Sequence, residues 1–87
     1  VPAIANARAV LLVELDRPEA AREVLEQALL GADVPDLQVL LNLGIALERS
    51  GDRQLAESRY REAVTAARSN GHPVLVPALL NLGALLL

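Results

Sequence analysis

The feature that most constrains the fold of this chain is a sequence pattern that occurs twice. The spacing Ala-x3-Leu-x2-Ala at residues 21–28 returns as Ala-x3-Tyr-x2-Ala at residues 56–63, a shift of 35 residues. A second segment, Val-Leu-Leu-Asn-Leu-Gly at 39–44, returns as Ala-Leu-Leu-Asn-Leu-Gly at 78–83, a shift of 39 residues. A period of this length indicates units of two helices that stack into a solenoid.

Turn residues divide the chain into five segments with helical periodicity. Gly, Pro, Asp and Asn cluster at 16–18, 31–36, 50–52 and 70–73, where we expect the breaks. Between the breaks, apolar residues recur three and four positions apart, and no segment alternates as a strand would. Short connections favour antiparallel neighbours. The pattern predicts an all-α fold of five helices at about residues 2–15, 18–30, 36–50, 53–69 and 74–87. Asp16 and Asp52 are the expected helix caps.

Small residues mark the places where helices should approach closely. Gly44 and Gly83 have no side chain where the two helices of a pair must meet, and Ala9 should serve nearly the same purpose. The alanines of the repeated pattern allow short distances between helix axes. Leu25 and Tyr60 should fill the space between those alanines, which makes Tyr60 a packing residue rather than a ligand-stacking one.

The middle of the chain, residues 37–70, resembles the tetratricopeptide repeat. The residues that carry the resemblance are Leu40, Leu43, Gly44, Leu47, Gly51, Asp52, Ala56, Tyr60 and Ala63. Residues 2–35 form a degenerate repeat with Ala9 in place of the glycine, and 74–87 is the first helix of a third. The resemblance implies one domain over 1–87, an α-α superhelix of antiparallel helix pairs with about two and a half repeats.

The resemblance also implies that the first helix of each pair lines a concave groove, where a peptide or protein segment binds. The side chains expected there are Gln38, Leu41, Asn42, Ile45, Glu48 and Arg49, then Leu80, Asn81 and Ala84, with Asn6, Val10 and Val13 from the first helix. Asn42 and Asn81 form either a pair of amides that grips a peptide backbone or two surface amides typical of the fold. Because the groove is otherwise apolar, it favours an apolar or amphipathic segment over an acidic tail.

The last expected helix carries apolar residues on more than one face, which implies burial on more than one side. Its candidate self-association residues are Leu79, Leu82, Leu85 and Leu86. Either the chain is part of a longer array, or two copies bury these helices together as a homo-oligomer. The 39-residue spacing favours an alternative to groove binding, in which the chain is an assembly or dimerisation segment of a larger bacterial regulatory or signalling protein.

Composition excludes most kinds of chemistry. A net charge of −3 and a single aromatic residue argue against nucleic-acid binding. The chain has no Cys, and its one histidine, His72, has no nucleophile to work with, so we expect no catalysis, no metal and no cofactor. The uncharged stretch 69–87 is interrupted by Pro and Gly, and its dense apolar part, 74–87, is shorter than the roughly 20 residues needed to span a bilayer. The chain does not start like a signal peptide, so we expect a cytoplasmic protein.

Overall fold

The computed structural model describes all 87 residues and consists of five α-helices without strands. The helices are α1 (Pro2–Glu14), α2 (Pro18–Leu30), α3 (Leu37–Arg49), α4 (Arg53–Asn70) and α5 (Leu75–Leu86). The predicted all-α fold is therefore confirmed. Each helix begins and ends within one residue of its predicted bounds, because the turn residues that delimit the helices act locally.

Consecutive helices pack against each other, and α1 also lies beside α3. The last helix departs from this arrangement, since α5 packs on α4 and has almost no contact with α3. The difference follows from helix length: α4 has 18 residues, whereas its counterpart α2 has 13. The first two pairs thus stack in one register, while the longer α4 displaces α5 from the place beside α3.

α3 is the central helix of the domain. It packs against α1, α2 and α4, and eight of its 13 residues are buried. In α1, by contrast, only Ala9 is buried. The core of 18 buried apolar residues draws on all five helices and includes Leu25, Leu43, Leu47 and Tyr60 as its largest fully buried side chains.

The turns inside the two helix pairs share one backbone geometry. Asp16 and Gly51 are 35 residues apart, and both adopt a left-handed conformation, with φ of 61° and 88°. In each turn the amide of the following residue donates to a carbonyl five positions back, to Leu12 at 2.8 Å and to Leu47 at 2.9 Å. This is the Schellman arrangement that ends a helix. The first helix pair therefore keeps the turn of the second, although it has Asp where glycine is favoured.

Neither predicted cap, Asp16 or Asp52, makes a capping hydrogen bond, and the residue that does so is Asp36. The Asp36 carboxylate accepts a hydrogen bond of 3.0 Å from the amide of Val39 and caps α3. Asp16 ends α1 and does not cap α2, and Asp52 precedes α4 without a capping bond. The Asp52 carboxylate lies 3.6 Å from the Arg22 guanidinium instead, an ion pair that links the second turn to α2.

The close approach of α3 and α4 depends on Gly44. Tyr60 is fully buried, and a Cβ atom added at Gly44 would lie 2.5 Å from its Cε1 and 2.6 Å from its Cδ1. In the first pair the corresponding residues are Ala9 and Leu25, which are also buried. One pair thus combines the smallest residue with an aromatic ring, and the other combines alanine with leucine. The expectation for Gly83 is wrong, since a Cβ added there meets no atom within 4 Å.

The substitution Asp16→Gly should raise the free energy of unfolding by about 0.5 kcal/mol, because glycine adopts the left-handed conformation without the steric cost of a Cβ atom. Urea denaturation measures this change. The matched substitution Gly51→Asp, at the equivalent turn, should lower the free energy of unfolding. Equal urea midpoints for Asp16→Gly and the unmodified chain would contradict the left-handed backbone conformation at position 16.

The substitution Gly44→Ala should lower the free energy of unfolding by about 2 kcal/mol, because the new methyl group overlaps the Tyr60 ring. Adding Tyr60→Leu recreates the combination of Ala9 with Leu25. The loss of unfolding free energy in the double variant should therefore be at least about 1 kcal/mol smaller than the sum of the losses in the two single variants. Urea denaturation of all four proteins tests this, and strictly additive losses would argue against the contact.

Candidate interaction groove

A shallow cleft of about 190 Å³ lies between α1 and α3. We call it the α1–α3 cleft. Its apolar lining comes from Val10, Val13 and Ile45, and its charged side chains are Glu14 and Arg49. The remaining lining residues are Ala9 and Asn42. The cleft combines aliphatic side chains with one charge of each sign, which are the components of a site for a polypeptide segment.

The repeat register explains why these residues meet. Val10 and Ile45 are 35 positions apart, as are Glu14 and Arg49, so each pair occupies equivalent places on α1 and α3. Because those two helices lie side by side, equivalent residues come to line the same cleft. Neither Glu14 nor Arg49 belongs to one of the ion pairs of the chain. Both charges are therefore available to a ligand.

A chain of amide hydrogen bonds joins α1 to α3 beside the cleft. The Asn42 side-chain Nδ2 donates to Asn6 Oδ1 at 3.0 Å, and Gln38 Nε2 donates to Asn42 Oδ1 at 3.2 Å. Only 8% of Asn42 is exposed. Its amide is thus engaged both as donor and as acceptor inside the domain. Asn42 ties the two helices together and has little left to offer a peptide.

Asn81 does not line the α1–α3 cleft with Asn42. The Asn81 Nδ2 donates at 2.8 Å to the carbonyl of Pro77 in its own helix. No residue of α5 lines the α1–α3 cleft, so Leu80 and Ala84 are exposed elsewhere on the domain. The physical reason is the longer α4, which moves α5 away from α3.

The other residues of α3 that the sequence placed in the groove lie in different environments. Leu41 is buried in the core and does not reach the surface. The Glu48 carboxylate accepts a hydrogen bond of 2.8 Å from the Tyr60 hydroxyl. Sequence reasoning missed Ala9 and Glu14, which line the cleft from α1. The 35-residue shift that relates Glu14 to Arg49 was the signal that could have identified Glu14.

Two of the four candidate self-association residues are covered within the chain. Leu82 and Leu85 are buried in the core on the side of α5 that packs on α4. Leu79 and Leu86 remain exposed. The apolar surface of α5 is therefore narrower than the sequence predicted, because α4 covers one of its faces.

His72 lies in the turn before α5, where its Nδ1 accepts a hydrogen bond of 3.0 Å from the amide of Val74. No group of three or more His, Asp and Glu side chains is arranged to hold a metal ion. None of the five helices combines the length and the apolar character needed to cross a bilayer.

Comparison with known families identifies the central helix pair. Residues 37–70, which form α3 and α4, match the tetratricopeptide repeat family. The match covers one helix pair of the chain and confirms the resemblance seen in the sequence of that segment. Repeats of this family are in general protein–protein interaction modules. No curated protein and no solved structure matches the chain.

The burial of Tyr60 beside Glu48 makes the stability of the helix pair depend on pH. Burial raises the pKa of the Tyr60 hydroxyl, the hydrogen bond to Glu48 and the charge of Glu48 add to the rise, and Arg49 opposes it. The unfolded chain ionises near the ordinary tyrosine value of about 10. Neutral Tyr60 therefore stabilises the fold fully below that pH, and the stabilisation is lost as the pH rises further.

The free energy of unfolding should accordingly fall as the pH is raised above about 10. Denaturant titrations across this range, with tyrosinate absorbance of the single tyrosine as a second signal, measure the effect. The control Tyr60→Phe lacks the hydroxyl and should show a smaller decline over the same range. A Tyr60 that ionises in the native protein at its ordinary pKa would contradict the buried hydrogen bond.

Proposed function

We propose that this chain is a protein–protein interaction module without catalytic activity and that it binds an apolar or amphipathic segment of another protein in the α1–α3 cleft. The observation that carries the proposal is the combination of Val10, Val13 and Ile45 with two charged residues that have no ion-pair partner. The tetratricopeptide repeat at 37–70 supports a protein as the ligand.

The size of the cleft favours side chains of a polypeptide over an enclosed small molecule. At about 190 Å³ it is smaller than the roughly 300–1,000 Å³ of typical small-molecule sites. One or two aliphatic side chains of a bound segment fill such a space. Because an interface of this extent is small, we expect an affinity in the range of weak, transient complexes.

The charges on the cleft predict the order of residues in the bound segment. Glu14 favours a basic residue of the ligand nearby, and Arg49 favours an acidic one. The bidentate guanidinium of Arg49 is also suited to a carboxylate, including a chain terminus. A segment with aliphatic residues and one charge of each sign therefore complements the cleft better than a uniformly acidic tail.

Asn42 has an indirect role in this proposal. Its hydrogen bond to Asn6 joins α1 and α3, which supply the opposite sides of the cleft. The amide chain thus sets the width of the cleft before a ligand arrives, and pre-organisation of this kind lowers the entropic cost of binding.

The substitution Ile45→Glu should weaken binding of cleft ligands at least about tenfold, because it places a charge among the aliphatic side chains. Peptides selected from a random displayed library on the intact chain provide the ligands, and fluorescence anisotropy measures their affinities. Val34→Glu, an identical change of charge at an exposed loop residue outside the cleft, is the matched control and should bind as the unmodified chain does.

The charges allow an independent check. Arg49→Glu should weaken selected peptides that carry an acidic residue and spare those that lack one. Peptides that bind Ile45→Glu as tightly as the unmodified chain would refute the cleft as the binding site, provided that thermal unfolding shows the variant to be folded.

A further inference from the structure

A second and larger recess lies along α4, and we call it the α4 pocket. Its volume is about 660 Å³, and it shares no lining residue with the α1–α3 cleft. One side is α4, and the other is the connection between α2 and α3 together with the start of α3. Its lining includes Pro35, Leu37, Leu40, Thr65, Ser69 and Asn70. Every lining residue lies between positions 34 and 70, so the second helix pair and the connection before it form the whole pocket.

The greater length of α4 creates this pocket. With the 35-residue shift, α2 corresponds to residues 53–65, and residues 66–70 of α4 have no helical counterpart. Ala66, Ser69 and Asn70 of this extension line the pocket together with Val34 and Pro35 of the connection. The pocket is therefore a feature of this chain's irregular repeat length, and a regular pair of the length of α1 and α2 would not form it.

Both sides of the pocket are held in place by the ends of helices. On one side the Asp36 side chain caps α3, and Pro35 restricts the backbone before the cap. On the other side α4 ends at Gly71 with φ of 63°, and the amide of His72 donates to the carbonyl of Ala67 at 2.9 Å. The two sides thus keep their places without a ligand, which lowers the entropic cost of binding.

The pocket combines aliphatic and hydroxyl-bearing side chains. Leu40 is buried and Leu37 is half-buried, and both belong to α3. Ser58, Thr65 and Ser69 are spaced seven and four positions apart, so they share one side of α4. A molecule in the pocket therefore meets aliphatic carbon from α3 and hydroxyl groups from α4.

Several hydrogen-bonding groups of the pocket are unused. The hydroxyls of Ser58 and Ser69 donate to the carbonyls of Gln54 at 3.3 Å and of Thr65 at 3.1 Å, and their oxygens can still accept. The Thr65 hydroxyl and the Asn70 side-chain amide make no hydrogen bond within the chain. Both groups can donate and accept, so a polar group of a ligand finds partners of either kind.

The charged residues of the pocket are already paired within α4. Arg61 Nε lies 3.0 Å from a carboxylate oxygen of Glu57, and Glu62 is paired with Arg59. The lining contains one residue of each sign, Arg61 and Glu62, so it has no net charge. A charged ligand would lose hydration without meeting an unpartnered counter-charge. The charge pattern therefore favours an uncharged ligand.

We propose that the α4 pocket binds an uncharged small molecule that has an aliphatic chain and an amide or hydroxyl group. The aliphatic chain lies against Leu37 and Leu40, and the polar group exchanges hydrogen bonds with Thr65 and Asn70. The volume of about 660 Å³ is within the range of roughly 300–1,000 Å³ that small-molecule sites occupy, whereas the α1–α3 cleft is below it. The chain thus has a second site for a different class of ligand.

Hexanamide, hexanoate and hexylamine are matched probes for this proposal, because their aliphatic chains are of nearly equal length and their charges at neutral pH differ. Titration of hexanamide into the isotopically labelled, intact 87-residue chain should shift the backbone amide signals of residues 34–40 and 65–70. Hexanoate and hexylamine should bind at least about threefold more weakly, since neither finds a free counter-charge.

Substitutions in α4 test the hydrogen bond and the volume separately. Thr65→Val replaces the hydroxyl by a methyl group and should weaken hexanamide binding at least about threefold, while Thr65→Ser keeps the hydroxyl and should retain the affinity. Ala66→Leu fills part of the pocket and should weaken binding at least about tenfold. Gln54→Val alters an exposed residue of α4 outside the pocket and is the matched control, which should bind as the unmodified chain does.

Three results would overturn the proposal. The first is equal affinity for all three probes, which would reveal contact with aliphatic carbon alone. The second is the absence of hexanamide shifts at 34–40 and 65–70. The third is unchanged hexanamide affinity in Thr65→Val, a variant that should stay folded because Thr65 is exposed. Ile45→Glu should leave hexanamide binding intact, so a failure of the α1–α3 cleft as a binding site and a failure of the α4 pocket are distinguishable.

Discussion

The contact between the Tyr60 ring and Gly44 is the interaction on which the rest of the domain depends. A side chain of any size at position 44 would overlap the ring, so the glycine sets how closely α3 and α4 approach. The buried ring also brings its hydroxyl to Glu48. Because α3 packs against three other helices, its position relative to α4 determines how the whole core is assembled.

The position of the α1–α3 cleft follows from the repeat length along the chain. The first two pairs follow a shift of 35 residues, and this regular register brings α1 beside α3 and forms the cleft. The second pair ends in a longer α4, and α5 is consequently placed on α4 with little contact to α3. The two regular helix pairs thus supply the cleft, and α5 does not extend it.

Sequence reasoning succeeded where the physical cause is local. Helix bounds follow from turn residues and periodicity, and the role of Gly44 follows from its place in a helix pair joined by a short turn. It failed for Leu41 and for the α5 residues of the groove. Leu41 is instead buried in the core on α3. The α5 assignments assumed that a third repeat would stack as regularly as the second, whereas α4 is five residues longer than α2 and α5 has little contact with α3.

The sequence by itself determined the five helices, their pairing and the residues at which α3 and α4 meet, because propensity, turn chemistry and short connections act between near neighbours. Only the tertiary structure decided that Asn42 is engaged with Asn6, that Leu82 and Leu85 are buried, and that Gly83 faces open space. Burial of a residue depends on which helix reaches it, and that depends on the accumulated lengths of all the elements before it.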